Sequence, residues 1–355
     1  FIEKVMGLDE AVTRFADPVL ASAGGMGCDV MSAYIAKQLG MYGLYPDAPV
    51  NPVNRHSFPG GNDGFARHFV KLLIPDSISG KNSFEDIMNN PINFNRLDHR
   101  DSRVRLRLSS NVINVHHKSE SVNVTYYKNN ELTKVNAKAV VMASGGWINK
   151  HIISDLPKSH KEAYDQFNHA PMLVANVALT NWRFLKKLGI TAYQWSGGFG
   201  FHTNIRKPMH VGNYKPDLDP DKPITLTFYV SFEKTNQGLS AIEQSRLGQY
   251  EMLGKSFMQY EREIREQMVR MFSSSGFDPK NDIAGIILNR WGHAYVTPTP
   301  GFFYTPEGDP GYADIIKTKP FGRVSFGHSE LRGYQHWGPA AAEGSRAVDQ
   351  ISEFI

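Results

Sequence analysis

Apolar residues recur at helical spacing from Phe1 to Phe15 and again from Met31 to Leu39, with the break Gly24-Gly25-Met26-Gly27 between them. Pro46-Asp47-Ala48-Pro49 and Asn51-Pro52 then mark a loop. Asn62-Asp63 can cap a helix running from Gly64 to Leu73, which Pro75 ends. At Val104 the period changes to two. Val104-Arg105-Leu106-Arg107-Leu108 alternates, as do Val112 to Val115 and Val122 to Tyr127, and Asn129-Asn130 is a hairpin signal before Leu132 to Val135. Ala139-Val140-Val141-Met142-Ala143 is apolar throughout and runs into Ser144-Gly145-Gly146. Such a run predicts a short strand covered on both faces, as in a parallel sheet.

Beyond His151 the pattern mixes strands with helices. Asn181-Trp182-Arg183 opens a short helix ending near Gly189, and Ile224 to Phe232 is a strong strand. Ser240 to Phe272 reads as one long charged helix with Glu261, Arg262, Glu263 and Arg265 on solvated faces. Ile283 to Trp291 is a further strand and Thr297 to Gly311 a Pro- and Gly-rich loop. A strand at Gly322 to Gly327 and a helix from Pro339 to Phe354 close the chain.

A length of 355 residues allows two or three domains, or one large one. With 41% hydrophobic and 21% charged residues, the chain can bury a substantial core. The net charge of +4 is too small to point to nucleic acid. Cys28 is the single cysteine, which excludes an intrachain disulfide and a Cys-based zinc site. No apolar run reaches the ~20 residues that span a bilayer. The opening Phe1-Ile2-Glu3-Lys4 lacks an initiator Met and a signal peptide, so the chain is expected to be the later part of something longer, processed or truncated.

Three segments carry chemical signals. Gly25-Met26-Gly27-Cys28-Asp29-Val30 begins like a dinucleotide fingerprint, but Val30 replaces the third glycine and no suitable strand precedes it; a break between helices is the better reading. At Ser144-Gly145-Gly146 the small residues would let backbone approach a ligand, or simply form a strand-end turn. The third is Arg323 to Glu330 followed by Trp337-Gly338-Pro339-Ala340, where a strand ends in an acidic loop and a helix start offers free N–H groups to anionic atoms. The bland alternative there is a terminal helix packed on a sheet edge. The histidines give no metal spacing, and no Gly-x-Ser-x-Gly elbow is present.

Taken together, the chain resembles the flavin-dependent amine oxidoreductases, and most closely the spermidine dehydrogenase-like family. The residues carrying this are His56-Ser57-Phe58-Pro59-Gly60-Gly61-Asn62-Asp63-Gly64-Phe65-Ala66-Arg67 with Leu73-Ile74-Pro75-Asp76, then Val104 to Leu108 through Val112, Val140 to Ala143 and Asn181-Trp182. Gly276-Phe277-Asp278-Pro279 with Asp282-Ile283, Asn289-Arg290-Trp291 with His293-Ala294-Tyr295, and Phe321-Gly322-Arg323-Val324 complete the ordered set. Two departures stand out. The family's usual Asp in the last motif is Glu330 here, and the loop His336-Trp337-Gly338-Pro339 differs.

The resemblance implies an α/β fold: an FAD-binding domain of the glutathione-reductase and amine-oxidase kind, incomplete at its N-terminus, with a mixed α+β substrate domain. Residues 51–150 and 320–355 would form the FAD-binding layer, 151–319 the substrate domain, and 1–50 a helical segment of that domain. FAD would be held by Val112, Ala143, Ser144, Gly145, Ser329, Glu330, Trp337, Gly338, Pro339 and Ala340. Trp337, His336, Trp195, His293 and Tyr295 are the catalytic candidates, Trp291 is a further aromatic one, and Asp63 or Glu233 could meet a distal ammonium. Aromatic faces suit a cationic amine. The expected activity is oxidation of an amine or polyamine by hydride transfer to flavin. A second polypeptide, or a cleaved N-terminal region, would carry the Gly-x-Gly-x-x-Gly unit. The family also implies a haem, for which no residue nominates a ligand, and an extracytoplasmic, periplasmic location. The alternatives are a flavin dehydrogenase of a non-amine substrate in a multi-subunit complex, or a non-catalytic subunit that retains the fold.

Overall fold

The computed structural model describes residues 2–40, 56–57, 61–205 and 207–355. The loop expected at Pro46–Pro49 and Asn51–Pro52, and the Phe58–Gly60 part of the resemblance, lie outside the described residues. Helix α1 (Glu10–Gly24) is capped by the Asp9 carboxylate and stops at Gly25, and α2 (Ala33–Gln38) follows. Two-residue strand β1 (His56–Ser57) precedes α3 (Asp63–Leu73), then the short helices α4 (Phe84–Asn89) and α5 (Phe94–Leu97). The alternation at Val104–Leu108 does not make a strand. Leu106 and Leu108 stay exposed there, while the Arg105 and Arg107 guanidiniums lie 2.7 and 3.3 Å from Asp98. Alternation specifies a strand only where one face has something to pack on.

Strands β2 (Asn111–His117), β3 (Val122–Lys128) and β4 (Glu131–Ala137) form an antiparallel meander, turned between β3 and β4 by Asn129 and Asn130 at φ 51° and 63°. Two adjacent residues with positive φ make the turn whose twist suits a hairpin. Next come β5 (Val140–Met142), α6 (Gly146–Ile152), α7 (Lys158–Asp165), β6 (Asn168–Leu179), α8 (Arg183–Leu188), β7 (Ala192–Gln194), β8 (His202–Ile205), β9 (Lys207–Pro208) and β10 (Ile224–Ser231). The expected single helix after Ser240 is two, α9 (Ala241–Gly254) and α10 (Phe257–Phe272). Each opens on a reciprocal capping box, Ser240 with Glu243 and Ser256 with Gln259, so Ser256 starts a new helix rather than continuing the old one. Then follow β11 (Ile283–Thr297), α11 (Tyr312–Thr318), β12 (Val324–Phe326) and α12 (Trp337–Ile351).

This is a mixed α/β structure with two principal cores. A five-stranded antiparallel sheet, ordered β11-β6-β10-β8-β7, packs Val177, Leu226 and Phe228 against Phe184, Met252, Tyr260, Ile264, Met268 and Phe272. In the other core β12 pairs in parallel with β5, among Val115, Tyr164, Phe302, Ile316 and Leu331. Outside β5, the far edge of β12 is closed: Phe321 and Val324 exchange backbone bonds of 2.8 and 2.9 Å, and the Arg346 guanidinium donates to the Phe326 carbonyl. Buried Glu343 holds Arg346 and Arg332, tying α12 to the strand. The far edge of β5 is different. Val141 turns its N–H and C=O away from β12, and neither has a backbone partner among the described residues.

Gly327 lets α12 lie directly on the strand pair. A Cβ there would sit 2.9 Å from the Ala347 Cβ, 3.1 Å from the Glu343 carbonyl oxygen and 3.1 Å from Val141 Cγ1. Gly327→Ala is therefore expected to lower stability by about 1–3 kcal/mol through overpacking, read as a drop in the urea midpoint at unchanged slope.

Candidate functional site

The C-terminal ends of the two parallel strands meet at one carboxylate. After β5 the chain exposes Ala143 and Ser144, then enters α6 through Gly145 and Gly146. The Gly146 N–H, an orphan of the helix start, donates to Glu330 Oε2 at 2.7 Å. Glu330 sits in a 3-10 turn (Ser329–Arg332) after β12 and is 5% exposed. The two glycines admit this approach. A Cβ on Gly145 would stand 2.8 Å from Glu330 Oε1, and one on Gly146 would stand 2.7 Å from the Tyr164 ring.

Two buried imidazoles flank the same carboxylate. His169, at the start of β6, brings Nε2 to 3.0 Å from Glu330 Oε1, and His328 has Nδ1 3.7 Å from Oε2. Neither nitrogen makes an aligned hydrogen bond among the described residues. On its far side the His328 ring meets the Tyr164 hydroxyl, Nε2 to oxygen 3.1 Å. Burial pushes the Glu330 carboxyl up, but His169, His328 and the Gly146 N–H outweigh it and hold it below the ordinary carboxylate value. Burial also pushes the His328 imidazole down, which keeps it neutral.

His293 brings this buried group to the surface. The register of β11 on β6 passes from Trp291 opposite Met172 to Tyr295 opposite Ala170, so four residues advance against two and a bulge spans Gly292 to Ala294. Bulges re-aim side chains. His293 leaves this one stacked on Trp147 of α6, with ring centroids 4.2 Å apart and planes at 12°, and lies edge-on to His169 at 5.7 Å. Burial and His169 hold the His293 imidazole below its ordinary value.

A second feature is a cleft of about 720 Å³ lined by Asp17, Trp195, Gly198, Phe201, Glu233 and Thr235. Burial raises the carboxyls of Asp17 and Glu233, against hydrogen bonds that pull each down, and a like charge adds to each rise, Asp29 for Asp17 and Asp17 for Glu233. The Trp195 indole nitrogen is buried without a hydrogen-bond partner among the described residues.

The structure thus gathers Ala143, Ser144, Gly145, Ser329, Glu330 and His293 around one strand end, although the Glu330 carboxylate is spent on protein partners. The other candidates lie elsewhere. Trp195 and Glu233 line the cleft, Val112 is exposed on the meander, Trp291 is exposed on β11, and Tyr295 lies past the bulge with its hydroxyl pushed up by burial. Asp63 is exposed at the start of α3. Trp337 stacks on Phe65 with centroids 4.8 Å apart, and the His336 Nδ1 accepts from the Gly338 N–H at 3.4 Å ahead of Pro339 and Ala340. Gly25–Val30 follows a helix, not a strand, and the Asp17 carboxylate occupies the Cys28 N–H. Sequence reasoning missed His169, Trp147, Tyr164 and Asp17. The signal available for Trp147 was its place directly after the glycine pair, but the others have none without the register. Among the described residues no group of three or more His, Cys, Asp or Glu can hold a metal ion, and no helix is long and apolar enough to cross a membrane.

No protein-family model matches the chain, and no curated protein does. Among solved structures it is similar to putrescine oxidase bound to putrescine, with 17% identity and a TM-score of 0.47 over 68% of this chain and 48% of that one. It is also similar to cyclohexylamine oxidase from Brevibacterium oxydans IH-35A, with 17% identity and a TM-score of 0.46 over 72% and 50%. The chain spans about half the length of these structures.

Acid should loosen the Glu330 junction. His328 is kept neutral in the fold, so the unfolded chain takes up the extra proton first, and stability falls once pH drops below 6.5, the ordinary imidazole value. The depressed Glu330 contributes stability above 4.5, its ordinary value, and loses it as pH falls further. Glu330→Ala, which orphans the Gly146 N–H and removes the charge that both imidazoles face, is expected to cost about 3–5 kcal/mol in urea unfolding at pH 7. The variant should lack the loss of stability that protonation of Glu330 brings below 4.5, while the loss below 6.5 persists or steepens, because no carboxylate then favours the charged form of His328.

Proposed function

We propose that this chain is part of a flavin-dependent amine oxidoreductase. The observation that carries the reading is the exposed Ala143–Gly145 turn at the carboxyl end of the parallel pair β5–β12, the position where open α/β sheets bind cofactors. The residues fit a flat, anionic dinucleotide. Ala143 and Ser144 present backbone to the outside, and Trp337, Gly338, Pro339 and Ala340 open a 15-residue helix whose positive dipole end favours anionic atoms. Bound there, FAD would supply the hydride acceptor. Ala143, Ser144, Gly145, Ser329, Trp337, Gly338, Pro339 and Ala340 would hold it, with Val112 on the adenine side. Glu330 would set the turn from beneath rather than touch the cofactor.

The open edge of β5 supports a further part of this reading. Parallel sheets rarely stop at two strands of three residues with one edge free. A strand-turn-helix bearing the glycine-rich fingerprint, from another polypeptide or another region of the same one, would pair with Val141 and supply the pyrophosphate-binding N–H groups that Gly25–Val30 lacks. Export out of the cytoplasm belongs to the same reading through the family resemblance alone.

The acidic cleft supports an amine as substrate. Two carboxyls held above their ordinary values by burial are relieved by a cation placed between them, and Trp195 adds an aromatic wall. Glu233 follows the end of β10, and β10 lies two strand spacings, about 10 Å, from the β11 strand that carries His293, with β6 between them. A diamine could then place one nitrogen at each.

Two outcomes are expected. Under anaerobic conditions, putrescine or cyclohexylamine should bleach the flavin absorbance of the assembled protein. An assembly without flavin, or one whose flavin responds only to non-amines, refutes the reading. Glu233→Gln should raise KM for putrescine about 10- to 100-fold while leaving that for cyclohexylamine, which has no second ammonium, within about threefold.

A further inference from the structure

One line of ionisable groups runs from the surface into the junction between the two cores. It starts at exposed His293 in the β11 bulge, passes His169 on β6, reaches Glu330 after β12, and ends at His328 and the Tyr164 hydroxyl on α7. Only His293 among these is open to the outside; His169, Glu330 and His328 are each 5% exposed. The Glu330 carboxylate ties the Gly146 N–H at 2.7 Å and also faces two imidazoles. The two nitrogens facing it, His169 Nε2 and His328 Nδ1, are buried and make no aligned hydrogen bond among the described residues. The bulge adds an independent argument. Four residues of β11 are set against two of β6, and the result is that His293 stands between Trp147 and His169.

We propose that His293 accepts a proton from the substrate's ammonium group, with His169 and Glu330 as positioning residues that balance the charge it acquires. The proposal rests on the amine reading above. In the step, one N–H bond of the ammonium group on R–CH2–NH3+ or R2CH–NH3+ breaks and its electron pair stays on the amine nitrogen, while a new N–H bond forms on a ring nitrogen of His293. Positive charge moves from ammonium to imidazolium, nothing is oxidised or reduced, and the exposed ring then releases the proton to solvent. The neutral amine is the form whose carbon can give up a hydride.

The surroundings suit that role. The groups facing His293 are Trp147 from α6, which does not titrate, His169 from β6, and Glu330 behind it. His328, Tyr164, Glu343 and Arg346 stand further back around Glu330. Burial and His169 keep His293 neutral and able to accept, while the Glu330 carboxylate favours the imidazolium once formed. The same division, an exposed imidazole backed by a buried carboxylate, underlies general-base catalysis elsewhere.

Two measurements test this on separate footings. In ring-nitrogen NMR titrations of the chain, His293 should titrate below 6.5, moving up in His169→Gln and down in Glu330→Gln. A His293 that ignores both substitutions overturns the coupling. In the flavin-loaded assembly, His293→Gln, a surface change that leaves the buried junction intact, should slow anaerobic flavin reduction by cyclohexylamine at pH 7 by about 100-fold or more at unchanged flavin content. It should also abolish the wild type's acid limb and recover rate towards high pH, where the amine is already neutral. An unaltered rate and pH profile overturns the proposal while leaving the amine reading intact. A wild-type flavin inert to amines overturns that reading and the role of His293 with it, whatever the titrations show.

Discussion

The Glu330 carboxylate is the point on which the two halves of the structure are pinned. It joins the helix start after β5, the turn after β12 and the first residues of β6, three segments that reach it from positions 146, 330 and 169. A buried charge of this kind is tolerated only where its partners are all supplied, and removal of any partner is far more costly than the net value of the pair. Glycine at 145 and 146 follows from that requirement, because side chains there would stand where the carboxylate oxygens and the Tyr164 ring are. The exposed Ala143–Ser144 turn inherits its position from this tie.

The two cores differ in how complete they are. The antiparallel sheet closes on α8, α9 and α10 through aliphatic and aromatic packing, and needs nothing further for its inner face. The parallel pair is finished on the β12 side by Phe321 and by the Glu343–Arg346 pairing, and among the described residues it is open on the β5 side. An edge that is closed on one side and free on the other is asymmetric in a way that chance fraying does not explain, since unpaired strand edges invite association. The proposed cofactor unit would occupy that free side, next to the turn that would meet the cofactor.

The chemistry divides along the same seam. The open strand end offers backbone and small residues, the features needed to hold a cofactor rather than to react. The imidazole and indole face lies one layer away on α6 and the β11 bulge, and the acidic cleft lies beyond it across β6. An amine held by its charge in the cleft and relieved of a proton at His293 would present its carbon towards the strand end between them.

Much of the element pattern was legible in the chain. The meander, its Asn129-Asn130 turn, the continuously apolar β5 and the capped α8 all follow from local periodicity and turn chemistry, which depend on neighbours in sequence. Local features marked Ala143–Gly145 and Glu330 as separate strand ends; the family resemblance joined them in one candidate site. Local reading failed where the deciding contact was remote. Val104–Leu108 alternates, yet found no surface to cover. Ser240–Phe272 is a different case, because the Ser256–Gln259 capping box that divides it is local. His169 carries no local mark at all: it matters because β6 pairs with β11 in a register that slips by two residues at Gly292–Ala294, and because Glu330 arrives from 161 positions later. Register and the meeting of distant segments are set by burial of whole faces, so only the tertiary structure could bring His293, His169 and Glu330 into one line.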